Sequence, residues 1–238
     1  MSKYPKANIL VAYPYFKKEV FDSLKSRRPD EFRLIVDCGA YTAWNLGTEI
    51  SLEDYCAFLK TLPSEWEIVI TQLDVVGNPT RTYENWHRML DKGIDATPVF
   101  TRGADLKYLE EFYDYSDLVL LGGVGRSRAW KNYLVWFMNN NQGRDVHWFG
   151  ITESNLLKHY KPRSTDSALC TFTRRYGVFY FYTGNGELET VPKASFRNKP
   201  PRRFFESCMR LGFTAKEISL LAHNERWKGS ANLYVRDG

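Results

Sequence analysis

Carboxylates at the ends of apolar runs are the residues in this chain best placed for chemistry. Asp37 follows Leu34-Ile35-Val36, Asp74 closes the run ITQLD, and Asp166 lies in PRSTDSALC. A fourth run, LVLL, ends on Gly122-Gly123. A strand that finishes on a buried carboxylate is costly unless that carboxylate faces a site. Three such endings and a Gly-Gly ending suggest strand tips converging on one pocket. A (β/α) barrel builds its active site in this way, from the C-terminal ends of different strands.

Each position carries its own chemistry. Asp166 sits among Ser164, Thr165 and Ser167, whose hydroxyls can hold a carboxylate by hydrogen bonds. A fixed carboxylate can attack an anomeric carbon and form a covalent glycosyl intermediate; the alternative is an N-cap or turn aspartate. Asp37 would supply the second carboxylate that acid/base work at a glycosidic bond requires. Gly39, just after it, allows close approach of a ligand, and Tyr41 offers a stacking face or a hydroxyl. Asp74 can accept two N–H bonds from the amidine edge of a guanine-like base. Gln72, two residues earlier, would share its face if the segment is a strand. Gly122 and Gly123 can bring backbone N–H groups against a ligand oxygen, as a phosphate loop or a carbonyl clamp.

Other chemistries are poorly provided for. His87, His147, His159 and His223 show no HxH or HxxxH spacing, which argues against a metal-dependent hydrolase. His147 opens the strand-like HWFGIT and reads as a core or rim histidine rather than a catalytic one. Cys38, Cys56, Cys170 and Cys208 form no CxxC or CxC pair, so neither a structural zinc site nor a dense disulfide framework is expected. No cofactor is expected, and no GxGxxG follows the first strand. No signal peptide and no apolar run of ~18 residues is visible, so a reduced, cytosolic chain without a membrane span is expected.

The net charge of +5 is mildly basic and permits a polyanionic partner without requiring one. The distribution says more. Arg174, Arg175, Lys199, Arg202 and Arg203 concentrate positive charge in the last third, as phosphate contacts or as a solvated linker. Arg126, Arg128 and Lys131 form a second, smaller basic group. The 15 Tyr, 15 Phe and 7 Trp suit a pocket that stacks flat ligands, or ordinary packing.

The elements that must position these residues alternate. Strands are expected at 9–13, 33–37, 67–74, 96–101, 118–122, 146–151 and 165–170. Helices are expected at 17–26, 51–62, 80–92, 106–113, 129–139 and 154–160. Ser51 is a candidate N-cap with Asp54 at the capping-box position. Seven β-α units favour a closed barrel over an open sheet. The rhythm then changes. Runs at 178–183 and 187–191 flank Gly184-Asn185-Gly186, a hairpin signal, and two helices (202–211 and 214–223) end the chain. The 238 residues read as one α/β domain, a (β/α)8 TIM-like barrel, with 171–238 as a basic extension of β-hairpin and terminal helices.

Taken together, VDCGAYTAW, LDVVGNPTRTYENW, ATPVF, LLGGVG, HWFGIT and RSTDSA resemble the tRNA-guanine transglycosylase superfamily. The likeness is closest to its short phage-type branch, the DNA 7-deazaguanine transglycosylases. The matching segments span about residues 35 to 170. The resemblance implies a (β/α)8 barrel that exchanges guanine in a polynucleotide for a 7-deazaguanine base, such as the 7-cyano form. It implies Asp166 as the nucleophile that attacks C1′ and Asp37 as the acid/base carboxylate. It implies Asp74 as the base-recognition carboxylate, and Gly122 and Gly123 as a backbone clamp on the base carbonyl. The tRNA-acting members carry a late CxCxxC…H zinc site, whereas here that region holds only Cys208 and His223. DNA is therefore the expected substrate. The alternatives are the same exchange on tRNA and a non-catalytic nucleic-acid-binding barrel.

Overall fold

The computed structural model describes residues 6–124, 129–167, 178–182, 188–192, 202–210, 212–216 and 218. The chain divides into two compact units, Met1–Ile151 with Tyr160–Asp166, and Thr152–His159 with Ser167–Gly238. The division falls just after Asp166. Residues 152–159 belong to the second unit.

The first unit is a parallel α/β assembly. Its strands are β1 (Ala7–Ala12), β2 (Phe32–Asp37), β3 (Ile68–Ile70), β4 (Val99–Phe100), β5 (Val119–Leu121), β6 (Val146–Trp148) and β7 (Ser164–Thr165). They pair in sequence order, as β1-β2-β3 and as β4-β5-β6-β7. A single parallel bridge, Thr71 to Thr97, joins the two groups. The helices are α1 (Lys18–Lys25), α2 (Ala40–Asn45), α3 (Leu52–Leu59), α4 (Pro79–Asp91), α5 (Leu106–Tyr115) and α6 (Trp130–Asn141), followed by α7 (Ser154–Tyr160). Parallel strands need such crossovers because no tight turn can join them.

Local sequence explains the elements. The Ser51 side chain accepts from Asp54 N–H at 3.1 Å and starts α3, as the capping signal indicates. Asn78 caps α4 in the same way, accepting from Arg81 N–H at 3.0 Å, and Pro79 supplies the first helical residue. Helix α4 buries Trp86 and Met89. Trp86 meets Phe112 of α5 edge-on at 5.0 Å, a contact worth about 0.5–1.5 kcal/mol beyond burial. Its indole N–H donates to Ala96 O at 3.0 Å. Much of the aromatic content is packing of this kind.

The expected strands shorten to their paired residues. The run 96–101 keeps a ladder only at Val99–Phe100 and 146–151 only at Val146–Trp148, while β7 starts one residue early, at Ser164, and residues 168–170 of its expected run lie outside the described residues. Helix α2, directly after Asp37, is an addition to the expected elements.

In the second unit, β8 (Val178–Tyr182) and β9 (Leu188–Pro192) pair antiparallel, Val178 opposite Pro192 and Tyr182 opposite Leu188. This is the expected hairpin; its Gly184-Asn185-Gly186 turn lies outside the described residues. Helix α8 (Arg202–Arg210) buries Phe204, Ser207 and Cys208 on one face. Most of the expected last helix lies outside the described residues. Among the described residues no helix is long and apolar enough to cross a membrane.

Candidate active site

The C-terminal ends of β2, β3, β5 and β7 carry the candidate residues. After β2 the chain turns through Gly39 at φ +79°. A β-carbon there would lie 2.4 Å from Pro14 Cδ, so both conformation and space require glycine. The turn lets Gly39 N–H donate to Asp37 Oδ2 at 3.2 Å. Next to it, Cys38 N–H donates to Thr71 Oγ1 at 2.8 Å. The Tyr55 hydroxyl lies 3.2 Å from Val36 O and 3.0 Å from Thr71 O. Buried polar contacts thus tie the end of β2 to the end of β3.

The segment after β3 is pinned from α4. Leu73 O accepts from Asn85 Nδ2 at 3.1 Å, and Val75 N–H donates to Thr82 Oγ1 at 2.8 Å. Leu73 N–H approaches Met89 Sδ at 3.2 Å. Asp74, held between these anchors, accepts from the Cys38 thiol through Oδ1 at 3.0 Å. Its other oxygen faces Gly122, where a β-carbon would sit 3.8 Å from Oδ2.

Burial is the largest influence on these carboxyls. It raises Asp37 to about 7, with the charges of Asp74 and Asp166 adding to it and the N–H groups of Gly39 and Cys38 opposing it. Burial also raises Asp74, against the Cys38 hydrogen bond. The Cys38 thiol is pushed well up by burial and by both aspartates, so it is a donor here and not a thiolate. A carboxyl titrating near neutrality beside other carboxylates is the pattern of a general acid/base.

Asp166 follows β7, and its Oδ1 accepts from Gly150 N–H at 2.7 Å. Beside it His147, buried on β6, contacts Ser164 Oγ through Nδ1 at 2.8 Å. Among the described residues His147 Nε2 has no hydrogen-bond partner, and it lies 3.5 Å from Asp166 Oδ1. The sequence reading of His147 as a core residue holds for its burial and misses this second nitrogen. The β6–β7 register, which opposes His147 to Ser164, creates the contact, and no local pattern announces it.

Two further sequence-proposed residues take other roles. Gln72 is fully buried, donating through Nε2 to Thr82 O at 2.9 Å and accepting from Val99 N–H at 2.9 Å. Its amide, expected as a base contact, braces β4 and α4. Gly122 donates its N–H to Phe100 O at 2.9 Å, and its carbonyl lies 3.4 Å from the Tyr133 hydroxyl. Its N–H is thus engaged within the sheet, and a β-carbon there would meet Val99 Cγ1 at 2.9 Å. Gly123, at φ +68°, would place a β-carbon 2.8 Å from Arg102 N. Tyr41, on α2, is 52% exposed and packs obliquely on Trp44 at 6.1 Å.

Among the described residues no three His, Cys, Asp or Glu side chains are arranged to hold a metal ion. Cys38, Cys56 and Cys208 are free thiols. Arg202, 91% exposed, pairs with Glu206 at 2.7 Å on α8, and Arg203 is exposed beside it. Both lie at the start of α8, the first of the two terminal helices expected from the sequence. Lys131 lies over the Trp130 ring at 5.4 Å. Arg174, Arg175, Lys199, Arg126 and Arg128 lie outside the described residues.

Comparison with family models, with curated proteins and with solved structures returns no significant match to this chain.

Proposed function

We propose that the protein is a transglycosylase that exchanges guanine in DNA for a 7-deazaguanine base through a covalent aspartyl-nucleotide intermediate. What supports the reading is the placement of Asp37, Asp74 and Asp166 at or just beyond the C-terminal ends of parallel strands β2, β3 and β7, with Asp74 tied to the residue after Asp37 through the Cys38 thiol. On this reading the parallel sheet of the first unit belongs to a (β/α)8 barrel.

The residues divide the work. Asp166, with Oδ1 held by Gly150 N–H, attacks C1′ of the target nucleotide through its other oxygen. The O–C1′ bond forms, the C1′–N9 bond breaks, and its electron pair leaves with guanine. The Asp37 carboxyl, protonated below about 7, supplies the proton the departing base needs. The incoming base returns a proton to Asp37 and displaces Asp166 from C1′. Asp74, with one oxygen held by Cys38, keeps its Oδ2 for the amino and ring N–H groups of a guanine-like base. Gly122 leaves the space for the base beside it.

The test is incubation with radiolabelled guanine and either DNA or tRNA, with denaturing gels to trap an adduct. Label entering DNA, with a protein–DNA adduct, is the expected result. Label entering tRNA alone would move the chemistry to tRNA. Binding of either polymer without exchange would favour a non-catalytic barrel.

A further inference from the structure

His147 is a buried polar side chain that the mechanism above leaves unused. Its imidazole is 1% exposed. The parallel register opposes His147 to Ser164, and Asp166 lies two residues beyond Ser164. Residues two apart on an extended segment share a face, so the imidazole stands between a hydroxyl and a carboxylate. Nδ1 lies 2.8 Å from Ser164 Oγ. Nε2 makes no hydrogen bond among the described residues, and Asp166 Oδ1 lies 3.5 Å away. The Phe149 ring closes on the imidazole edge-on at 4.9 Å.

Electrostatics selects the tautomer. A proton on Nδ1 would aim the Nε2 lone pair at a carboxylate oxygen. A proton on Nε2 aims a donor at it, and Ser164, as donor, satisfies Nδ1. An unpaired buried ring nitrogen is costly, and half an ångström of approach by Asp166 makes the bond.

We propose that His147, seated on Ser164, is a positioning residue for Asp166: its Nε2–H and Gly150 N–H together hold Oδ1, leaving the other oxygen as the attacking atom. This inference rests on the base-exchange reading for its consequence, not for its geometry. The imidazole keeps its proton throughout. It orients the carboxylate for attack and receives it again, as leaving group, when the incoming base takes C1′.

Two variants separate the nitrogens. His147→Asn retains a group at the Nδ1 position and removes Nε2. His147→Gln reaches to the Nε2 position and retains an N–H there. Adduct formation should fall by about tenfold to a hundredfold in His147→Asn, the loss of one hydrogen bond to a charged group. KM for the polynucleotide should be unchanged, and His147→Gln should recover most of the rate. Nitrogen-15 imidazole NMR of the wild-type protein tests the geometry without turnover. The expected species is the neutral Nε2–H tautomer, with its Nε2 resonance moved by Asp166→Ala. An Nδ1–H tautomer, or a near wild-type rate in His147→Asn, would overturn the proposal. An Nε2–H tautomer coupled to Asp166, in a protein that forms no adduct with DNA or tRNA, would support the positioning and sink the base-exchange reading alone.

Discussion

The Cys38 thiol donates to Asp74 Oδ1 at 3.0 Å and so joins the ends of two adjacent strands. This contact decides which carboxylate oxygen a ligand can use. Cys38→Ala should free Oδ1 to turn, and Asp74→Asn should replace an acceptor by a donor. Both should loosen discrimination among purines, the asparagine variant more, because ligand N–H groups left unpaired are costly. Competition between guanine and adenine for incorporation measures it. Unchanged selectivity in Asp74→Asn would make Asp74 structural.

Asp166→Ala should abolish exchange and the covalent adduct while polynucleotide binding survives. A nucleophile acts in the chemical step, so its loss falls on turnover and not on affinity. Exchange at near wild-type rate in the alanine variant would remove the assignment.

Asp37 carries the pH dependence. Its carboxyl is raised from 3.8 to about 7, so the acid form that protonates the departing base is depleted as pH rises through about 7. The rate of adduct formation should fall along that limb. Asp37→Asn should lose the limb and about 10²-fold in rate. Stability follows the same sign. The folded state holds this proton more tightly than the unfolded chain, so the contribution is full below about 4 and is lost as pH rises through about 7. The Tm advantage of Asp37→Asn over wild type should therefore be larger at pH 8 than at pH 4. A Tm difference independent of pH would contradict the raised carboxyl.

How much of this was legible in the sequence varies by residue. Asp37, Asp74 and Asp166 could be found because an aliphatic run ending on a carboxylate is a local signal. The partner of Gln72 was not legible, because alternation fixes the face of a side chain and not what it meets; the Val99 N–H that it accepts comes from another strand. Helix α2 was hidden because it is six residues long, leaves Tyr41 and Trp44 exposed, and buries only Ala43, so it shows no apolar stripe. The strands were read too long because apolar runs outlast their ladders. Only pairing, a tertiary property, marks where a ladder stops.

Gly122→Ala tests the room beside Asp74. The added carbon would meet Val99 Cγ1 at 2.9 Å and Thr101 Cγ2 at 3.6 Å, as well as Asp74 Oδ2. Overpacking of this kind costs about 1–3 kcal/mol, and the methyl would stand where the base is expected. KM for the free base should rise more than Tm falls. A variant with wild-type KM would place the base elsewhere.

Arg202 and Arg203 should be replaceable by glutamine with no measurable change in Tm, since exposed ion pairs contribute little. If α8 meets phosphates, the double variant should weaken binding to all sequences and flatten the salt dependence. An unchanged salt slope would turn the search to Arg126, Arg128 and Lys131.

The seam between the two strand groups has a consequence for motion. One bridge, Thr71 to Thr97, replaces a full ladder there. The Gln72 carboxamide stands in for a missing backbone acceptor at Val99. In deuterium exchange, Thr97 and Val99 should therefore open ahead of the Val36 and Leu120 amides in the flanking ladders. Gln72→Leu should accelerate Val99 selectively. Asp37 and Asp74 lie on one side of that soft line, Gly122 and Asp166 on the other. A breathing mode at the seam would change the width of the site itself.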